Sequence, residues 1–418
     1  MNIKVRLILM NFLQFAVWGA YVISMGGFLA KIGIGSNIGW FYSIQGIVSL
    51  FMPAIIGIIA DRWVEAQRLL AACHAIAAAA MAYVGYIAMG EGVTFADIFP
   101  YYTLSIAFYM PTLALSNSVS YNALEQAKLD SVKAFPPIRV FGTIGFIVSM
   151  LIVDKMGVQR SYEQFFISVA WQILLVPYAL TLPHCRIKRE EKHRDLVDAL
   201  GLRAFALFKE KRMAIFFIFS MFLGVCLQIT NGYANTFISS FEADEAFTGA
   251  YFVKHANSLI SLSQLSETFC ILLIPFFMGR FGIKRVMLIA MLAWVVRFGF
   301  FAIGYPTMPG IIWLVLSMIV YGVAFDFFNI SGSLFVDQYT DSSIRSSAQG
   351  LFFLCTNGLG SSLGMLMAQG VVNHFTENVD GLIVGNWPAI WTIFAAYALV
   401  LAILFALLFR FEPAKKAN

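Results

Sequence analysis

Long apolar runs separated by short polar breaks dominate this chain. A helix needs roughly 20 apolar residues to cross a bilayer, and the runs show none of the apolar and polar alternation of barrel strands. The pattern therefore predicts an all-α integral membrane protein with about 12 transmembrane helices. We place the spans near 7–30, 37–60, 69–89, 98–121, 137–153, 164–182, 214–240, 257–279, 286–304, 310–335, 347–370 and 387–409.

The longest polar interruption divides these spans six and six. We predict an N-terminal six-helix bundle over 1–182, a basic cytoplasmic linker over 183–213 and a C-terminal six-helix bundle over 214–418. Two bundles joined by a linker are typical of transporters that bind their solute between the halves near the bilayer midplane. The linker's basic residues include Arg186, Lys188, Arg189, Lys192 and Arg194.

Composition and charge fit a multi-pass membrane protein. Of the 418 residues, 60% are hydrophobic and only 12% are charged, which excludes an ordinary soluble domain. Most of the 28 Lys and Arg residues fall at the termini or in loops on one side, and few (Lys31, Lys155, Arg160, Lys254) fall on the other. By the positive-inside rule both termini are cytoplasmic. The net charge of +5 then reflects topology, and we predict no nucleic-acid partner.

No motif indicates an enzyme, a cofactor or a metal site. The five cysteines are scattered without the paired spacing of metal ligands, so we expect no disulfide either: Cys73, Cys185, Cys226, Cys270 and Cys355. The glycine-rich segment at 358–364 lies inside an apolar span, where close helix packing explains it better than phosphate binding.

Two carboxylates, Glu267 and Asp326, lie within apolar runs. A charge at the bilayer centre costs about 2.5 to 3.5 kcal/mol on insertion scales, so such acids usually face a cavity or a polar partner. They predict a role in proton transfer or solute contact. The alternative is a structural ion pair with Arg139 or with Arg297, another charge within a span, for which we favour a structural role.

Polar and aromatic side chains also recur at helical spacing within the runs, which places them on common helix faces. Such faces line a pocket, although interhelical hydrogen bonds and ring packing remain alternatives. The sets are Arg139, Thr143 and Phe146; Gln228 and Asn231; Gln264 and Glu267; and Tyr321, Phe325 and Asn329, with Asp326 beside Phe325.

Four segments resemble the nucleoside:proton symporter family of the major facilitator superfamily: Phe135–Phe146, Leu227–Asn231, Ser263–Thr268 and Tyr321–Ser333. The resemblance implies the major facilitator fold and a monomer that imports nucleosides with protons by alternating access. It also implies a substrate cavity lined by Arg139, Thr143, Phe146, Gln228, Asn231, Gln264, Glu267, Tyr321, Phe325 and Asp326.

A nucleoside suits this mixture of residues because its base can stack on Phe or Tyr while its edge and ribose bond to amides. One arginine and two acids favour an uncharged solute over a nucleotide. For proton coupling we favour Asp326 as the carrier, with Glu267 as the alternative. A facilitator for another small polar solute, such as a sugar, and a receptor without transport remain open alternatives.

Overall fold

The computed structural model describes residues 2–185, 202–340 and 345–409. The five basic residues that we place in the linker, between positions 186 and 194, lie outside the described residues. The chain divides into two compact units, Met1–Ala199 and Leu200–Asn418. Within the described ranges, eleven helices are long and apolar enough to cross a membrane.

The first unit is built of helices and short turns, because its apolar runs satisfy their backbone groups internally as a bilayer requires. Its helices are α1 (Ile3–Gly19), α2 (Met25–Lys31), α3 (Ile38–Arg62), α4 (Ala66–Ile87), α5 (Phe95–Gln126), α6 (Ser131–Lys155) and α7 (Glu163–Thr181). A single turn of 3-10 helix, Gly35–Asn37, precedes α3.

The first span is interrupted, whereas the apolar pattern predicts one continuous run near 7–30. Helix α1 ends at Gly19 and α2 begins at Met25. The break is stabilised from elsewhere in the unit, since the hydroxyl of Tyr42 donates a hydrogen bond to the carbonyl of Val22. Backbone N–H groups within the break still donate to carbonyls three or four residues earlier. The apolar pattern continues through these turns, so hydropathy does not reveal the break.

The second unit is also built of helices and contains one small sheet. It contains a 3-10 segment (Leu202–Lys209), α8 (Lys211–Ser240), a 3-10 turn (Phe241–Ala243), α9 (Tyr251–Lys254), α10 (Ala256–Phe281), α11 (Ile283–Ile303), α12 (Gly310–Tyr339), α13 (Arg345–Phe353), a π-helical segment (Leu354–Gly360), α14 (Ser361–Phe375), β1 (Thr376–Val379), β2 (Leu382–Gly385) and α15 (Trp387–Leu408).

The two strands form an antiparallel hairpin between the last two spans, in which Thr376 pairs with Gly385 and Val379 with Leu382. Asp380 and Gly381 both have positive φ, at 50° and 77°. An Asp-Gly pair with two positive φ values is typical of the tight turn that matches strand twist. The hairpin closes a connection that we left unassigned.

Glycines bring the first and fifth spans of each unit into backbone contact. In the first unit, a Cβ added at Gly145 of α6 would lie 2.1 Å from the Phe12 carbonyl oxygen of α1. In the second unit, a Cβ added at Gly224 of α8 would lie 2.0 Å from the Thr356 carbonyl oxygen of the π-helical segment. Small residues allow this close approach between membrane helices. The fifth span of each unit is thereby held against the first.

Candidate substrate and proton site

Helix α6 carries the candidate residues of the first unit. The guanidinium carbon of Arg139 lies 3.9 Å from the ring centroid of Phe15 on α1, a cation–π contact. The ring of Phe146 meets Trp18 edge-on, with centroids 6.2 Å apart. Arg139 and Thr143 are half-buried and Phe146 is buried. The structure therefore places this face of α6 beside aromatic residues of α1.

A separate polar network lies fully buried in the same unit. The amide nitrogen of Gln14 donates to the hydroxyl of Thr112 at 2.7 Å, and its amide oxygen lies 2.8 Å from Nε2 of His74. The hydroxyl of Tyr109 donates to the Gln14 carbonyl at 2.9 Å. Both ends of the Gln14 side chain are therefore satisfied. We therefore interpret His74 as a hydrogen-bonded packing residue outside the transport site.

The seventh span, α8, carries a coupled amide pair. The side-chain nitrogen of Asn231 donates to the side-chain oxygen of Gln228 at 3.1 Å. Gln228 is buried and Asn231 is half-buried. The spacing of three residues had predicted neighbouring groups on one side of the helix, and the structure places them in direct contact. Holding Asn231 against Gln228 orients both amides toward one region.

Helices α10 and α12 approach closely around the second group of candidates. A Cβ added at Gly322 would lie 2.6 Å from the Ser266 carbonyl oxygen, so only glycine fits there without displacement. The Tyr321 ring stacks on Phe325, with centroids 5.8 Å apart and planes 6° from parallel. The Gln264 side chain lies near the Tyr321 hydroxyl. Stacked rings beside an amide are suited to a flat polar solute.

Asp326 is the buried acid of this group. It is 5% exposed, and its Oδ2 has no hydrogen-bond partner in the described part of the chain. Its carboxyl group is near enough to Glu267, which is half-buried, for their charges to interact. Two neighbouring carboxylates repel each other when both are ionised.

Arg297 is 2% exposed, and its hydrogen bonds go to neutral groups rather than to an acid. Its Nη1 donates to the Ser317 carbonyl at 2.6 Å and lies 3.4 Å from the Ser263 hydroxyl. The guanidinium carbon lies 4.6 Å from the centroid of Tyr321. These contacts join α10, α11 and α12, which agrees with the structural role that we favoured. They do not form the ion pair with Asp326 or Glu267 that was the alternative.

The structure adds residues that sequence reasoning left out of the site. Asn329, Thr356 and Asn357 line a cavity of about 20 Å³ together with Phe325. The sequence pattern could have predicted Asn329, because it lies on the same helical face as Tyr321 and Phe325. The pattern could not have predicted Asn357, because this residue lies in the π-helical segment, where α-helical periodicity does not hold.

Comparison of the sequence and the fold with known proteins identifies the family of this chain. The family model for the nucleoside H⁺ symporter matches residues 1–414. The nucleoside permease NupG of Escherichia coli (strain K12) is 46% identical over 414 residues, covering 99% of this chain and 97% of the permease. The xanthosine permease of the same organism is 48% identical over 415 residues, with the same coverage of 99% and 97%. A crystal structure of the nucleoside transporter NupG superposes with a TM-score of 0.90 at 45% identity, covering 99% of this chain and 100% of that one.

Proposed function

The chain belongs to the nucleoside H⁺ symporter family, and we propose that it imports nucleosides with protons across the bacterial inner membrane by alternating access. It is a multi-pass membrane transporter of the major facilitator fold and not an enzyme. Whole-chain similarity to a nucleoside permease and a xanthosine permease supports nucleosides as the solute. The stacked Tyr321 and Phe325 rings beside Gln264 carry the same conclusion from geometry.

We assign substrate binding to residues of both units. In the first unit Arg139, Thr143 and Phe146 offer a cation, a hydroxyl and a ring from one helix. The rings stack on the base, and the amides and hydroxyls bond to its edge and to the ribose. In the second unit the binding residues are Gln228, Asn231, Gln264, Glu267, Tyr321, Phe325 and Asp326.

We assign proton coupling to Asp326, with Glu267 as its neighbour and alternative. Burial and an oxygen without a donor support Asp326, since little in the protein offsets the cost of a negative charge there. Glu267 lies one helical turn from Gln264, so its carboxylate is better placed to accept a hydrogen bond from the solute. Binding of a proton and of a nucleoside would then occur on neighbouring carboxyl groups.

For topology we propose that both termini and the 183–213 linker are cytoplasmic, and that the transporter acts as a monomer. The linker would join an N-terminal bundle over 1–182 to a C-terminal bundle over 214–418. The asymmetry of Lys and Arg supports this orientation. Reporter fusions at Asn418 and Lys192 should both give a cytoplasmic signal, and a periplasmic signal from either would overturn the orientation.

The function is tested by uptake of radiolabelled uridine in cells that lack their own nucleoside transporters. Expression of this chain should produce accumulation above the external concentration, and an uncoupler should abolish it. Unlabelled xanthosine and adenosine should be tested as competitors, with xylose as a sugar control. Competition by the sugar but not by any nucleoside would reject nucleoside transport. Accumulation that the uncoupler leaves intact would reject proton coupling.

A further inference from the structure

The small cavity in the second unit lies where α8, α12 and the π-helical segment meet. Leu227 contributes from α8, Phe325 and Asn329 from α12, and Thr356 and Asn357 from the π-helical segment. Its volume of about 20 Å³ is enough for one water-sized group. A single polar group at the edge of a solute therefore fits beside the Phe325 ring.

The two amides in this cavity keep unused hydrogen-bonding capacity. The side-chain nitrogen of Asn329 donates to the Phe325 carbonyl, and that of Asn357 donates to the Thr356 hydroxyl, both at 2.9 Å. An amide side chain has two N–H donors and one oxygen acceptor, so each asparagine retains a donor and an acceptor that no described residue contacts. Both side chains are half-buried. They offer neutral donor and acceptor pairs beside an aromatic ring.

Backbone packing holds Asn357 in place. The Thr356 backbone lies against Gly224, and a Cβ added at Gly360 would lie 2.0 Å from the Met221 carbonyl oxygen. The seven residues from Leu354 to Gly360 form a π-helix, which occurs frequently at functional sites. A segment so tightly packed presents its side chains in a defined direction.

The first unit has a counterpart at the same place in its order of spans. There the fifth span, α6, packs against the first span through Gly145 and carries Arg139 and Thr143. In the second unit the fifth span packs against α8 through Gly224 and carries Thr356 and Asn357. The span that contributes solute contacts in one unit therefore has a polar counterpart in the other.

We propose that Asn329 and Asn357 are specificity-determining residues that bond to the base edge of a nucleoside stacked on Phe325. The proposal rests on the proposed function. The edge of a base presents adjacent uncharged donors and acceptors. These can bond to the donor and the acceptor that each asparagine side chain retains. The stacked ring contacts the face of the base, so amides at its border contact the base edge rather than the ribose.

The test compares nucleosides that differ at one place. Calorimetry on the purified protein should measure uridine, cytidine and 2′-deoxyuridine with the wild type, Asn357→Ala and Asn329→Ala. Uridine and cytidine differ at the base edge, whereas 2′-deoxyuridine differs only at the ribose. Each variant should change the uridine to cytidine affinity ratio by about three- to tenfold, as expected for one lost hydrogen bond. The uridine to 2′-deoxyuridine ratio should stay within about twofold of the wild type.

Controls separate the possible failures. Asn378→Ala, in the hairpin, is a matched amide change that should alter neither ratio. Asn357→Ser and Asn329→Ser, which keep a small polar group, replace either alanine variant that does not fold. An unchanged uridine to cytidine ratio, or equal changes in both ratios, overturns this inference. If the wild type binds no nucleoside, the proposed function itself fails.

Discussion

Two buried side chains, Gln14 of the first unit and Asp326 of the second, differ in how completely they are paired. The amide nitrogen of Gln14 donates to the Thr112 hydroxyl, and its amide oxygen lies within hydrogen-bond distance of His74. In the second unit, the buried carboxyl of Asp326 leaves Oδ2 without a partner among the described residues. Buried polar groups that are paired stabilise one structure. A buried carboxyl oxygen without a partner costs free energy, so its retention indicates a functional role. We therefore expect different outcomes when these two side chains are replaced.

The largest expected effect is on the unpaired acid. Asp326→Asn removes the proposed proton carrier, so uptake should no longer proceed against a gradient. A membrane potential of about 150 mV supplies about 3.5 kcal/mol per proton, enough for a few-hundred-fold accumulation. The variant should equilibrate uridine without concentrating it, while counterflow in proteoliposomes remains measurable.

The matched control is the buried Asp154 of the first unit, whose carboxylate accepts a hydrogen bond from Gln159 at 2.5 Å. Asp154→Asn should retain uphill uptake. If Asp326→Asn still concentrates uridine and an uncoupler collapses that accumulation, Asp326 is not the carrier. Glu267→Gln is then the variant that should lose coupling.

A smaller effect is expected at the amides of the second unit. Gln228→Ala and Gln264→Ala each remove a proposed hydrogen bond to the solute, which is worth about 1 to 3 kcal/mol when a partner is left unpaired. Nucleoside affinity should fall about tenfold or more, as measured by calorimetry on the purified variants. Unchanged affinity in both variants would assign these glutamines to helix packing instead.

Replacing Gln14 in the first unit should change stability rather than nucleoside binding. Gln14→Leu removes the partner of both Thr112 and His74 and leaves them buried. The thermal unfolding midpoint should fall by a few degrees, on the order of 2 to 4 °C per kcal/mol lost. Uridine affinity should stay within about threefold of the wild type. A loss of affinity equal to that of Gln228→Ala, with an unchanged midpoint, would contradict a packing role for Gln14.

The smallest effect concerns polar contacts outside the membrane. The side-chain oxygen of Gln67 accepts the backbone N–H of Cys185 at 3.0 Å, and Glu65 lies 3.1 Å from His184. The hydrogen bond from His184 lowers the pKa of Glu65, and burial raises the pKa of the Cys185 thiol to about 11.

Gln67→Ala should loosen this contact and expose the thiol. Maleimide labelling of Cys185 at pH 7 should then become about two- to fivefold faster, since one hydrogen bond is lost. Transport should remain close to that of the wild type. Cys185→Ser supplies the labelling background of the other cysteines, and an unchanged rate would show that Gln67 does not hold the segment.

Much of the architecture follows from the sequence, because a bilayer imposes strict rules on apolar runs. Helices are required wherever a long run crosses lipid, so the span positions could be read from hydropathy. Helical spacing likewise predicted the contact between Gln228 and Asn231, since neighbours on a helix face are set by its pitch. The family resemblance added the predictions that the solute is a nucleoside and that its transport is coupled to protons.

Tertiary structure decided the features that depend on contacts between distant segments. The break in the first span receives a hydrogen bond from Tyr42 on another helix, and the neutral partners of Arg297 come from α10 and α12. The unpaired oxygen of Asp326 and the position of Asn357 in a π-helical segment depend on how neighbouring spans pack. Periodicity reports the geometry of a single helix, whereas burial and hydrogen bonding at each of these positions are set by other helices.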